Sequence, residues 1–232
     1  YDDALVVLDG LAKQATVDVR TYHRRGTVHY LLGSPDQAAL DFHKATTMEP
    51  GWAAAWNDLA SAYRGMGQPE KATGPLEQAL RAAPGTAYIL NNLGSTLRIL
   101  DRNDEALQRY AAARASDNTY VPAWINQASL LIEMERLTEA RPLVDEGLKL
   151  FPAQAALHNL LGILLRKAGK PKEAAKALDR ALQLDPSFAT AYLNRAIARE
   201  EAGDAAGACA DYARAKELGL EEAKKYHDRE CQ

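Results

Sequence analysis

The chain predicts an all-α fold, a solenoid of stacked helical pairs with about fourteen helices. Three observations carry that expectation. The first is a fixed step of 34 residues: Pro50, Pro84, Pro152 and Pro186 stand on one ladder, and Asn118, another turn former, fills its missing rung. The second is a set of small-residue columns at the same step. One reads Ala38, Ala72, Ala106, Ala140, Ala174 and Ala208; another reads Ala45, Ala79, Ala113, Gly147, Ala181 and Ala215; a third reads Gly26, Ala60, Gly94, Ala128, Gly162 and Ala196. The third observation is the unit itself. Ala155 to Phe188 holds two amphipathic stretches of helical period with a turn at Ala168-Gly169-Lys170 between them. Small residues let paired helices approach closely, and stacking the next pair buries the apolar stripe that one pair cannot bury alone.

In chain order, residues 1–18 hold the second helix of a truncated repeat, with Ala4 on a small-residue column and Leu8 on a bulky one. Its first helix is missing, which points to a cut from a longer chain and predicts an uncovered apolar face, a surface for self-association. Full repeats follow at 19–52, 53–86, 87–120, 121–154, 155–188 and 189–222, and a strongly polar capping helix at 223–232. Turns inside the pairs centre on Gly33, Gly67, Asp101, Glu135, Gly169 and Gly203. Glycine there supplies a positive φ at low cost, so the Asp101 and Glu135 turns are expected to be shaped differently. Pro35, Pro69 and Pro171 open second helices, where a missing N–H loses nothing. Gly74-Pro75 and Pro142 lie inside second helices and predict kinks, the stronger at Pro75.

These columns resemble the tetratricopeptide repeat family. The large residue early in the first helix is Tyr22, Trp56, Leu90, Trp124, His158 and Tyr192, and the bulky residue of the second helix is Phe42, Leu76, Tyr110, Val144, Leu178 and Tyr212. The resemblance covers essentially the whole chain. It implies a right-handed superhelix with first helices lining a concave groove, and a binding scaffold rather than an enzyme. The chaperone-binding branch of the family grips an acidic terminus with a lysine and asparagine set. No three consecutive repeats here supply that set, so a heat-shock chaperone is not the expected partner.

Composition sets further bounds. With 232 residues, 25% charged and a net charge of −3, the chain lacks the basic excess of a nucleic-acid binder. No apolar run reaches the roughly 18 residues of a membrane span. Cys209 reads as a small buried apolar residue and Cys231 as a free thiol, which fits a reducing compartment such as the cytoplasm. The five histidines make no i, i+4 metal pair, and there is no phosphate loop, serine elbow or Cys–His nucleophile. Neither cofactor, metal nor catalytic residue is called for.

The candidate binding residues lie on the face that packing leaves over on the first helices. Asn92, Asn126 and Asn194 share one ladder, Asp58 occupies it in the second repeat, and Asn57, Asn91 and Asn159 stand one residue before it. Asparagine offers both donor and acceptor, so such a row can pair with the backbone of an extended peptide. It resembles the asparagine ladder of O-linked N-acetylglucosamine transferase. Arg64, Arg98 and Arg166 form a second ladder; Arg20, His23 and Arg24 add positive charge early, and Glu200 and Glu201 make the far end acidic. Arginines there suit a partner with an acidic segment. Ser95 and Ser129, with Ser61, leave room for a ligand backbone. The leading expectation is a non-catalytic scaffold for an extended peptide or partner helix. Its rivals are the substrate-recruiting arm of a larger enzyme such as a glycosyltransferase, and a self-associating assembly protein.

Overall fold

The computed structural model describes residues 1–14 and 16–231, with the side chain of Glu230 outside the description. Among the described residues it contains fourteen helices and no strand. They are α1 (Asp2–Ala12), α2 (Val19–Leu31), α3 (Pro35–Met48), α4 (Ala53–Gly65), α5 (Pro69–Ala82), α6 (Ala87–Ile99) and α7 (Asn103–Ser116). Next come α8 (Val121–Glu133), α9 (Leu137–Leu150), α10 (Ala155–Lys167), α11 (Pro171–Leu184), α12 (Ala189–Glu201), α13 (Ala205–Glu217) and α14 (Glu221–Glu230). None is long and apolar enough to cross a membrane. The helices group in two compact units, Tyr1–Ala123 and Trp124–Gln232.

In the first unit each helix packs on the next, and the first helices α2, α4 and α6 also touch one another in sequence. In the second unit α10, α11, α12, α13 and α14 follow the same rule, and α10 meets α12. What permits this is the small-residue column. A Cβ added to Gly26 would lie 2.9 Å from Phe42 Cε1, one on Gly94 2.7 Å from Tyr110 Cε1, and one on Gly162 2.5 Å from Leu178 Cγ. The bulky residue of these three second helices, Phe42, Tyr110 and Leu178, therefore seats directly against the backbone of its partner. The opposing alanines Ala38, Ala72, Ala106, Ala140 and Ala174 are fully buried. The early bulky residue also anchors the turn that precedes it. Trp56 Nε1–H donates to the Pro50 carbonyl at 2.8 Å, and His158 makes the same bond from Nε2 to the Pro152 carbonyl at 2.9 Å.

Two expectations are corrected. Asp101 and Glu135 stand in the left-handed region at φ 56° and 57°, beside φ 75°, 69°, 72° and 86° at Gly33, Gly67, Gly169 and Gly203. The turn is the same in all six repeats, because the packing of the two flanking helices dictates it and the residue accepts the strain. The cysteines are not free: Cys209 and Cys231 form a disulfide with a Cα–Cα distance of 5.5 Å. α13 and α14 make a tight helical hairpin about the turn at Gly219, so residues a similar distance either side of that turn come together. The argument for a reducing, cytoplasmic compartment rested on free thiols and goes with them. Both Pro75 and Pro142 sit inside helices that continue through them.

The chain's two ends differ. α1 has no buried residue and leaves Val6 and Val7 72% and 61% exposed. α14 buries Ala223 completely and stacks Tyr226 on Tyr212, ring centroids 5.4 Å apart.

Asp101 makes no side-chain bond that a substitution would break, so Asp101→Gly is expected to raise stability by about 0.5–1 kcal/mol in urea titration. Cys231→Ser is expected to lower it by about 3 kcal/mol, and the wild-type chain to show no reactive thiol before reduction.

Candidate functional site

The face in question is built from the fifth and sixth residues of successive first helices. At a constant helical step, the fifth residue of one meets the sixth of the next. His23 Nε2–H on α2 donates to Asp58 Oδ2 on α4 at 2.8 Å. Asn92 Nδ2–H on α6 donates to Asn57 Oδ1 on α4 at 2.8 Å, and Asn194 Nδ2–H on α12 donates to Asn159 Oδ1 on α10 at 2.8 Å. The asparagine ladder is thus a line of polar clasps between neighbouring repeats. Asn57, Asn91 and Asn159 are buried at 7%, 5% and 8% exposure, whereas Asn92, Asn126 and Asn194 are half-buried. Asn57 Nδ2–H also reaches Asp58 Oδ1 at 3.1 Å. In each asparagine pair the buried member positions the half-buried one, and the clasp uses one N–H of Asn92 and one of Asn194.

The serines lie where the spacing puts them, half-buried on the same helices. Ser61 donates to the Asn57 carbonyl at 3.1 Å, and Ser95 receives Tyr110 O–H at 3.2 Å. Ser129 stands at the matching position of α8.

The arginine ladder divides. Arg166 Nη1 holds Glu201 Oε1 at 2.8 Å, so in the second unit that charge is neutralised within the fold. Its neighbour Lys167 holds Glu135 at 2.7 Å. Arg98 is half-buried on α6. Arg64 is different. Its Nη2 lies 3.5 Å from Ser61 Oγ, at the limit of a hydrogen bond, its Nε is buried without a protein partner, and no carboxylate stands within ion-pair distance among the described residues. Burial pulls its pKa below the ordinary arginine value, against the opposing influence of the Tyr30 and Tyr110 phenols. Beside it Thr27, Tyr30 and Leu31 of α2, Phe42 of α3, and Asp58 and Ser61 of α4 line an open cavity of about 200 Å³.

One feature of the charge arrangement was not foreseen from sequence. Arg25 grips Asp41 with two bonds, Nε–Oδ2 at 2.8 Å and Nη2–Oδ1 at 2.6 Å, and reaches Asp9 at 3.0 Å. Arg195 does the same to Asp211, at 2.8 and 2.6 Å, and to Asp179 at 2.7 Å. Each arginine ties its own second helix to the second helix before it. Arg25 is raised above the usual arginine value chiefly by its hydrogen bonds to Asp41. Burial of Arg195 opposes its charge, but the bonds and charge of Asp211 and Asp179 outweigh it. The visible signal is an aspartate sixteen residues either side of the arginine. It takes on meaning only once the helical register is known.

The tetratricopeptide-repeat family profile matches residues 57–120, 125–187 and 159–219. The chain belongs to the tetratricopeptide repeat family. A curated relative, protein CTR9 homolog of Arabidopsis thaliana, is 33% identical over 105 residues, 45% of this tetratricopeptide-repeat chain and 10% of that protein. The chain therefore corresponds to about a tenth of that relative's length. Among solved structures, the APC/C hetero-tetramer Cut9–Hcn1 aligns over 100% of this chain and 46% of its own, with TM-score 0.78 and 18% identity. YrrB, a TPR protein with an unusual peptide-binding site, aligns over 81% of this chain and 97% of its own, with TM-score 0.58 and 17% identity. These similarities establish the repeat fold.

Because the tetratricopeptide-repeat clasps join neighbouring helices, Asn159→Ala is expected to cost about 1 kcal/mol in thermal unfolding with the helix content unchanged.

Proposed function

We propose that this chain is a non-catalytic interaction scaffold that holds an extended segment of a partner protein along its first helices. The observation that carries the reading is the half-buried asparagine of the clasps. Asn92 and Asn194 are fixed by one bond to a buried neighbour, yet each retains an acceptor and a donor for a ligand. A peptide backbone repeats N–H and C=O groups, so evenly spaced amides suit it without reading its side chains. Each bond would contribute about 0.5–1.5 kcal/mol net. In the first unit Ser95 and Arg98 share α6 with Asn92, with Asn57 and Asn91 as supports; in the second Asn126 and Ser129 stand on α8, and Asn159 supports Asn194. YrrB, described as having a peptide-binding site, lends the reading further support. A segment carrying acidic residues suits Arg64 on α4, whereas Arg166, already paired with Glu201, contributes less.

A photo-crosslinking residue introduced at Ser95 or Asn194 is expected to trap a partner segment. The same residue at Gln78 or Lys176, exposed on second helices, is expected to trap none. Crosslinks arising only from the second-helix positions would place binding on the other face and end this reading.

A further inference from the structure

We infer that the cavity between α2 and α4, with Arg64 beside it, is a specificity subsite for an acidic side chain that stands next to a large apolar residue in the bound segment. The inference rests on the first-helix reading above and names the partner chemistry at one point of that face.

Three half-buried arginines of this fold are neutralised within it: Arg25 and Arg195 each by two aspartates, Arg166 by Glu201. Arg64 is half-buried, its Nε has no protein partner, and among the described residues no carboxylate stands within ion-pair distance of it. An enclosed cation without a counter-charge is costly, and a carboxylate from outside removes that cost. Burial already acts against the charge of its guanidinium.

The cavity explains the second half of the specificity. Phe42 is almost wholly buried at its floor, while Tyr30 and Leu31 at its rim are 42% and 55% exposed. Ser61 and Thr27 supply hydroxyls on opposite walls. Asp58 closes the remaining side with both oxygens already accepting, from His23 and Asn57. Arg64, whose Nη2 lies 3.5 Å from the cavity-lining Ser61, therefore attracts an anion, the apolar lining favours an apolar side chain, and Asp58 suits a backbone N–H.

The first-helix face continues from Arg64 onto α6 with Asn92 and Ser95, which favours an acid inside a bound segment over one at its end.

The test is selection of short random peptides displayed with both ends blocked, and in parallel with free C-termini, on the whole chain. Wild type is expected to enrich internal Asp or Glu beside Phe, Tyr, Leu or Ile. Selected peptides, synthesised with amidated ends, are then titrated by fluorescence anisotropy against wild type, Arg64→Gln and Arg64→Lys. Arg64→Gln is expected to weaken binding about tenfold or more, as is replacing the peptide's acid by its amide. Combining the two is expected to add nothing further, and Arg64→Lys to recover part of the loss. Thermal melts separate this role from a structural one: Arg64→Gln is expected to leave Tm unchanged or higher, whereas a structural arginine would lower it. Acid preference that persists in Arg64→Gln overturns the inference, and so does enrichment confined to free C-termini. Peptides that need Asn92 but are indifferent to acid sink this inference and leave the scaffold reading standing. Recovery of no peptide by wild type sinks both.

Discussion

The structure depends on one steric fact, repeated in alternate helical pairs. A bulky side chain on the second helix rests against a Cα on the first that carries no side chain. At Gly94 a Cβ would fall 2.7 Å from the Tyr110 ring, and at Gly162 2.5 Å from Leu178. Separation of the two helices is therefore set by a ring or isobutyl group meeting backbone, which tolerates little variation. When that separation is the same in successive pairs, neighbouring first helices within a unit run at a regular offset. Only then does the fifth residue of one come opposite the sixth of the next.

That regular offset creates polar neighbours that must be satisfied. Three clasps with the same spacing answer the demand with different chemistry: an imidazole and a carboxylate at His23–Asp58, and two amides at Asn57–Asn92 and Asn159–Asn194. An amide is the more economical choice, because it donates and accepts at once. Either asparagine can be buried without a charge to neutralise, and the outer one still has groups to offer. Under the proposed reading the ladder is structural on its buried side and serves recognition on the other. Packing role and recognition role are not alternatives for these residues.

Much of this was legible in the sequence, and the misses have identifiable physics. The 34-residue step predicts about fourteen helices, the number found among the described residues, and it puts His158 in the column of Trp56, where the two make the same bond. Asp101 and Glu135 misled because local preference was taken to decide backbone shape. In a stacked fold the flanking helices decide it, and a modest φ penalty is absorbed. The disulfide was hidden because Cys209 and Cys231 carry no spacing motif; their meeting follows from the α13–α14 hairpin and from nothing more local. The Arg25 and Arg195 networks were hidden for a related reason. Their partners lie sixteen residues away on two different helices, a distance with no meaning in a single helix.

Arginine in this chain is read best by what neutralises it. At Arg195 two aspartates hold the guanidinium, one of them only 4% exposed, and the geometry is bidentate. Such a group is committed to the fold, since removing either partner strands a charge in low dielectric. Arg166 has one acid, Glu201, which is 42% exposed. A pair of that kind is screened by solvent and exchanges partners readily. Arg64 has none among the described residues. The ordering does not follow from sequence position: all three are half-buried, so the difference lies in whether the fold supplies the counter-charge. Where the fold withholds it beside an open cavity, the free energy of supplying it is available to a ligand, and the same uncompensated charge discriminates against a ligand that brings no acid.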